Sequence, residues 1–338
     1  MWEFCFYLLQ KYHLMKSIPE LQELLDKGIA GLDFGHEPRN LYEPISYIMS
    51  LGGKRMRPLL TLLGYQLGKG DCERIVRPAL AVEVFHNFTL MHDDIMDEAP
   101  LRRGEPTVHE KWNNTVAILS GDTMLVKAYD LLLELDPALL PEALRLFNQC
   151  AVEVCEGQQI DMNFESEERV SVEEYIGMIR LKTAVLLGFS LEYGALMAGM
   201  PVEVRKQLYD VGVKMGIGFQ LMDDLLDVYA DQAKFGKQVG GDIISNKKTF
   251  LLIKAQELAV GDQKARLSNW LSMREFDPAE KVTAVTKIYD ELGIKALTTQ
   301  LMNQYFDESF TLLDSLAADA EGKSLLRGFA GQLMKREK

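Results

Sequence analysis

The chain has 338 residues, 37 of them basic and 50 acidic, for a formal net charge of −13. Hydrophobic residues at 47% and charged residues at 26% are the mixture of a folded globular chain and exclude a disordered one. The acidic excess argues against nucleic acid as a partner, because phosphate binding is driven by Lys and Arg, and no apolar run of about 18 residues reads as a membrane span.

The opening, Met1-Trp-Glu-Phe-Cys-Phe-Tyr-Leu-Leu9, is apolar but carries Glu3 and no basic leader, so it does not read as a secretory signal. Met15 offers a second beginning, and residues 1–14 are read as an appendage or a misassigned start. Apolar residues recur at helical spacing over 76–95, 116–135, 140–154 and 202–228. Pro78 and Pro141 mark helix openings, and Ser171 with Glu174 forms a capping box. Breaks are short and fall at 51–53, 69–71, 100–106, 163–169, 199–201 and 235–248. Strand-like alternation is scarce and no linker separates two halves, which predicts one all-α domain over 15–338, built as a helical bundle. Cys5, Cys72, Cys150 and Cys155 form no C-x-x-C pair and read as buried, reduced thiols of a cytoplasmic protein.

The strongest feature occurs twice. Asp93-Asp94-Ile-Met-Asp97 and Asp223-Asp224-Leu-Leu-Asp227 are both D-D-x-x-D, 130 residues apart, and each interrupts an apolar helical run. Two such matches by chance are on the order of one in a thousand. On a helix the first and last acids of each motif lie about 40° apart, one turn from each other, where like charges repel. A hard divalent cation relieves that repulsion, and Mg²⁺ is typically held by one or two carboxylates together with substrate phosphates.

Basic residues gather around these acids. Gly52-Gly-Lys-Arg-Met-Arg-Pro58 sets Lys54, Arg55 and Arg57 beside a glycine turn; Arg102 and Arg103 follow the first motif; Lys182-Thr183, Lys237 and Lys247-Lys248-Thr249 come later. Guanidinium and ammonium groups bind phosphate oxygens, so acids and bases together suggest a diphosphate bridged by Mg²⁺. His86 and Gln220 each stand seven residues before a motif aspartate, within about 20° of it on a wheel. No G-x-x-x-x-G-K-[ST], H-E-x-x-H or G-x-S-x-G occurs, so neither P-loop phosphoryl transfer nor a serine hydrolase is supported.

These elements, taken in order with Leu101-Arg-Arg-Gly104, Gly121-Asp122, Gly157-Gln-Gln-Ile-Asp161, Lys182-Thr-Ala184, Phe235-Gly-Lys237 and Gly241-Asp242, resemble the trans-isoprenyl diphosphate synthases, or polyprenyl synthetases, over roughly residues 15–335. The resemblance implies an all-α isoprenoid synthase fold around a central active-site cavity, a homodimer, and Mg²⁺-dependent head-to-tail condensation of isopentenyl diphosphate with an allylic diphosphate. It further implies that Asp93, Asp94 and Asp97 bind two Mg²⁺ ions, and that Asp223 and Asp227 bind a third with Asp224 in support. Arg102, Lys182, Gln220, Lys237 and Lys247 would hold the allylic diphosphate, and Lys54, Arg57, His86 and Arg103 isopentenyl diphosphate. Thr183 and Gln220 would steady the allylic cation.

Phe88 and Thr89 precede the first motif by five and four residues. An ideal wheel sets Phe88 about 140° from Asp93, so spacing alone does not bring it to the growing chain. The resemblance does, and it implies a short-chain product, C20 favoured over C15. Two rivals share parts of the pattern. A class I terpene cyclase would lack the Gly52–Pro58 element and a second D-D-x-x-D, and a non-catalytic subunit of a heteromeric synthase would be expected to lose acids or the arginine pair.

Overall fold

A computed structural model describes residues 15–68, 71–230 and 240–334. The chain divides into two compact units. One comprises the stretch ending at Gln149 together with Leu187–Asp210 and Leu313–Phe329; the other comprises Cys150–Leu186, Val211–Leu312 and the stretch from Ala330 onward. Among the described residues the architecture is all-α but for one ribbon of two short strands.

The first unit opens with α1 (Ile18–Ala30), started by the capping box of Ser17 and Glu20, and α2 (Arg39–Ser50). After the glycine turn comes α3 (Met56–Gln66), buried along most of its length. The next long helix, α4 (Val76–Met96), is buried on every residue from Pro78 through Phe85, Glu83 included. It packs on α1, α2, α3 and α6 (Asn114–Leu132). Between α4 and α6 the chain forms β1 (Leu101–Arg102) and β2 (Glu105–Pro106), paired antiparallel, then α5 (Val108–Lys111). The sequence predicts only a break there. Arg103 and Gly104, with φ of 57° and 84°, turn the chain back on itself.

Two helices carry the chain into the second unit. The α7 helix (Leu140–Ser166) outruns its predicted end at 154 by three turns, and the break expected from Asn163 begins only after Ser166. The α10 helix (Val202–Tyr229) matches the predicted span within a residue. Between them lie α8 (Val172–Ile179), opened by the predicted Ser171–Glu174 capping box, a π-helical turn (Arg180–Ala184) and α9 (Val185–Met197). The remainder is helical: α11 (Gly241–Ile244), α12 (Phe250–Leu258), α13 (Gly261–Ser272), α14 (Pro278–Glu291), α15 (Ile294–Ser315) and α16 (Ala320–Met334). Among the described residues, no helix is long and apolar enough to cross a membrane; Cys72, Cys150 and Cys155 are not joined in a disulfide, and of the three expected to be buried Cys155 is instead exposed. Residues 1–14 and Lys237 lie outside the described residues.

Candidate active site

In the first unit the glycine turn sorts its three basic residues by direction. Arg55, at φ 47°, points inward, where its Nη1 donates to Glu83 Oε1 at 2.7 Å and its Nη2 to the Met49 carbonyl at 2.6 Å. The pair is buried, so Arg55 is a structural cation and not one of the phosphate-facing bases. Lys54 is exposed. Arg57, on the first turn of α3, donates through Nη1 to His86 Nε2 at 2.9 Å. Burial and the guanidiniums of Arg57, Arg102 and Arg103 hold His86 well below the usual histidine range. The ring is therefore neutral, and its Nε2 lone pair is what Arg57 engages. The predicted partners Arg57 and His86 thus meet across two helices.

The first acidic motif closes α4. Asp93 is half-buried on the last turn and Asp97 is the exposed C-cap residue, whose amide donates to the Asp93 carbonyl. Asp94 is 2% exposed and faces Arg102, whose Nε donates to Oδ2 at 2.7 Å and whose Nη2 donates to Oδ1 at 2.6 Å. Burial raises the Asp94 pKa and the Arg102 guanidinium draws it back. Arg103, next along the ribbon, donates to the Gly52 carbonyl and so ties the ribbon to the glycine turn. Phe88 packs edge-on against His92, centroids 4.8 Å apart, and against Phe85 at 5.6 Å. Thr89 Oγ1 donates to the His86 carbonyl at 2.8 Å.

In the second unit, the π turn lies against α7 where Gly157 leaves room: a Cβ there would stand 2.2 Å from the Lys182 nitrogen. Lys182 Nζ reaches Asp161 Oδ2, also on α7, at 2.6 Å. Thr183 Oγ1 donates to Gln220 Oε1 at 3.0 Å, and Gln220 Nε2 donates to Asp224 Oδ1 at 3.0 Å. The other Asp224 oxygen accepts from the hydroxyl of Tyr175, a fully buried residue on α8. Asp227 Oδ2 accepts from the Asp242 amide at 3.0 Å. Asp223 is half-buried, and Lys247 is exposed three residues past α11. Burial, reinforced by the charge of Asp242, pushes Asp224 up to about 7 and Asp227 up to about 6, and Lys247 opposes both shifts.

Three contributors went unassigned in the sequence. Asp161 and Asp242 stand inside recognised elements, Gly157–Asp161 and Gly241-Asp242, but without roles. Tyr175 gave no signal beyond its place behind a capping box, because its partner is 49 residues away. In both motifs the middle acid is the buried one, held by protein donors, while the outer acids are less enclosed. Among the described residues no three Asp, Glu, His or Cys side chains form a ready-made cation cage. The motifs offer carboxylate oxygens, the donors Mg²⁺ prefers, and an ion held by one or two of them completes its shell from water and phosphate. The donor set therefore fits Mg²⁺.

A model of the family described as polyprenyl synthetase matches residues 38–291. A geranylgeranyl diphosphate synthase of Methanosarcina mazei is 36% identical over 331 residues, covering 96% of this chain and 98% of the relative. The crystal structure of a geranylgeranyl pyrophosphate synthase superposes with a TM-score of 0.89 at 41% identity, covering 96% of this chain and 100% of the other. A geranylgeranyl pyrophosphate synthase from Corynebacterium glutamicum, solved with isoprenyl diphosphate and magnesium, superposes with a TM-score of 0.84 at 28% identity, covering 94% and 98%. By its helices, its paired aspartate motifs and these matches, the chain belongs to the polyprenyl synthetase family.

Proposed function

We propose that this protein is a trans-prenyltransferase that condenses isopentenyl diphosphate with an allylic diphosphate, head to tail, to give a C20 prenyl diphosphate. The observation that carries the reading is the preparation of both acidic motifs: each middle carboxylate is buried and locked by protein donors, while the outer acids are less enclosed. The geranylgeranyl diphosphate synthases among its relatives support the C20 product.

Asp93, Asp97, Asp223 and Asp227 are the residues that would hold Mg²⁺, with Asp94 and Asp224 fixing their surroundings. Bound Mg²⁺ supplies positive charge that offsets the charge developing on the departing diphosphate. Arg102, Lys182, Lys237 and Lys247 bind the allylic diphosphate. Lys182 is held in wait by Asp161, so substrate oxygens compete with that carboxylate for the ammonium. Lys54, Arg57, His86 and Arg103 bind isopentenyl diphosphate, with Arg57 oriented by neutral His86. As the allylic C–O bond breaks, the partial negative charges of Thr183 Oγ1 and Gln220 Oε1 steady the cation. Their mutual hydrogen bond and the Gln220–Asp224 bond fix the amide orientation. The double bond of isopentenyl diphosphate attacks the cation, and the departed diphosphate takes the proton whose loss restores a double bond. The pocket must exclude water throughout, or the cation ends as an alcohol.

A homodimer in the cytoplasm completes the proposal. Leu119, Val126 and Leu133 stand seven residues apart along and just past α6, between 54% and 60% exposed, and form an apolar line suited to a second copy.

The test is incubation of purified protein with Mg²⁺, isopentenyl diphosphate and each allylic primer, followed by sizing of the products. Elongation to C20 that stops on chelation is expected. A cyclised hydrocarbon would support the cyclase reading, and no product longer than the primer overturns elongation.

A further inference from the structure

Lys281 is 0% exposed, and among the described residues no other lysine is buried. It lies in the first turn of α14, where the helix dipole disfavours a cation. Burial there costs an ammonium its hydration and lowers its pKa. Its Nζ donates to the Ile244 carbonyl at 3.0 Å and stands over the Phe276 ring, 4.1 Å from the centroid. A charge kept in so unfavourable a place calls for a reason in what it holds.

What it holds is the last carbonyl of α11. This four-residue helix is short on internal bonds, so its position depends on outside ties. At its start, Gly240 takes a φ of 86° and lies so close to α14 that a Cβ would stand 2.6 Å from Val282 Cγ2. Just beyond its end, Asn246 Nδ2 donates to the Leu271 carbonyl at 3.2 Å. The segment in turn clasps the last acid of the second motif at two points. The Gly240 amide donates to the Asp227 carbonyl at 2.6 Å, and the Asp242 amide donates to Asp227 Oδ2 at 3.0 Å. The route runs from Lys281 Nζ through Ile244 and the Asp242 amide to the Asp227 carboxylate.

We propose that Lys281 is a positioning residue for Asp227: by anchoring the C-terminal carbonyl of α11 it fixes the amide that sets the carboxylate's rotamer, and with it the affinity of the second motif for Mg²⁺. The metal part of this inference rests on the prenyltransferase reading. The anchoring part rests on the geometry alone.

Two readouts on the full chain separate them. Amide exchange over 240–247 reports the anchoring directly, and calorimetric titration of inorganic diphosphate at stepped Mg²⁺ reports the metal midpoint. Lys281→Met keeps the length and apolar packing of the stem and removes the donor. It is expected to speed exchange over 240–247 about tenfold and to raise the Mg²⁺ midpoint about tenfold, the effect of losing an outer-shell partner. Exchange over the rest of α14 stays near wild type. Lys281→Arg, which keeps a cationic donor, should return both within about threefold. Folded Lys281→Met with unchanged exchange over 240–247, or with an unchanged Mg²⁺ midpoint, overturns the proposal. If the Met variant is not recovered folded, the Arg variant decides: near-wild-type values support the proposal and a tenfold loss overturns it. Wild-type protein that binds no diphosphate with Mg²⁺ refutes the prenyltransferase reading, and the exchange arm then still decides whether Lys281 anchors α11.

Discussion

Arg102 grips Asp94 through parallel hydrogen bonds, so a base assigned to substrate is also the counter-ion of a buried acid. A guanidinium can do both, because its second forked edge, Nη1–Nη2, remains for phosphate once the Nε–Nη2 edge is occupied. An ammonium cannot reproduce the fork. Arg102→Lys is therefore expected to lower kcat/KM by on the order of 10². Arg102→Gln should in addition lose about 3 kcal/mol of stability, since Asp94 would be left buried without a counter-charge. Steady-state kinetics and chemical denaturation of both variants check the pair of outcomes. Equal stability for Arg102→Gln and wild type would show that Asp94 does not depend on the guanidinium.

The second motif predicts a pH dependence. Asp224 and Asp227 titrate in the folded chain near 7 and 6, above the ordinary aspartate value, because burial and Asp242 disfavour their charged forms. The folded state thus binds more protons than the unfolded one between about pH 4 and pH 7. Metal-free protein should lose stability from this source as pH rises through that window, and Mg²⁺ should restore it at pH 7 and above. Asp224→Asn removes one of the two groups. Melting in chelator from pH 5 to pH 8 should show the variant gaining on wild type as pH rises. A gap between the two that stays constant with pH rules the explanation out.

Phe88 is propped by Phe85 on one side and His92 on the other. A ring so braced makes a rigid stop, and Phe88→Ala is expected to lengthen the main product by at least one five-carbon unit while costing up to about 3 kcal/mol. Product sizing decides it. An unchanged distribution from a folded variant removes Phe88 as the stop.

Gly157 allows α7 to approach the π turn at backbone distance. Gly157→Ala forces main chain apart, since no flexible side chain is there to yield, and displaces Lys182 and Thr183 together. A shift of about 1 Å at such residues costs on the order of 10² in kcat, which single-turnover kinetics would reveal. Wild-type rates in this variant would mean that the two segments part without moving the site.

Much of this was legible in the amino-acid order. The helices over 76–96 and 202–229 declare themselves through long apolar periodicity, and the aspartate motifs through charge placed where periodicity demands apolar residues. Arg57 and His86, expected at the same diphosphate, stand 29 residues apart, and the fold brings them together. What stayed hidden has long-range causes. Arg55 and Arg57 look alike in sequence, and only the left-handed backbone at Arg55 sends one toward Glu83. Helix α7 runs past its predicted end at 154, and its Gly157 is where another segment closes in. Lys281 resembles a surface lysine until α11 is laid against it.

The π turn at Arg180–Ala184 holds one residue more than an α-helical path of the same length would. It is in effect a single-residue insertion, and Lys182 and Thr183, the two side chains proposed to act on substrate, owe their direction to that surplus. Loss of one residue from 180–184 would relax the turn to ordinary helix, leaving the flanking helices in register but taking Lys182 and Thr183 off their present directions. Substitutions here are a matter of chemistry, but the reading frame of the helix is a matter of counting. Evolution and engineering alike should tolerate changes of residue at Arg180 or Leu181 far more readily than changes of length.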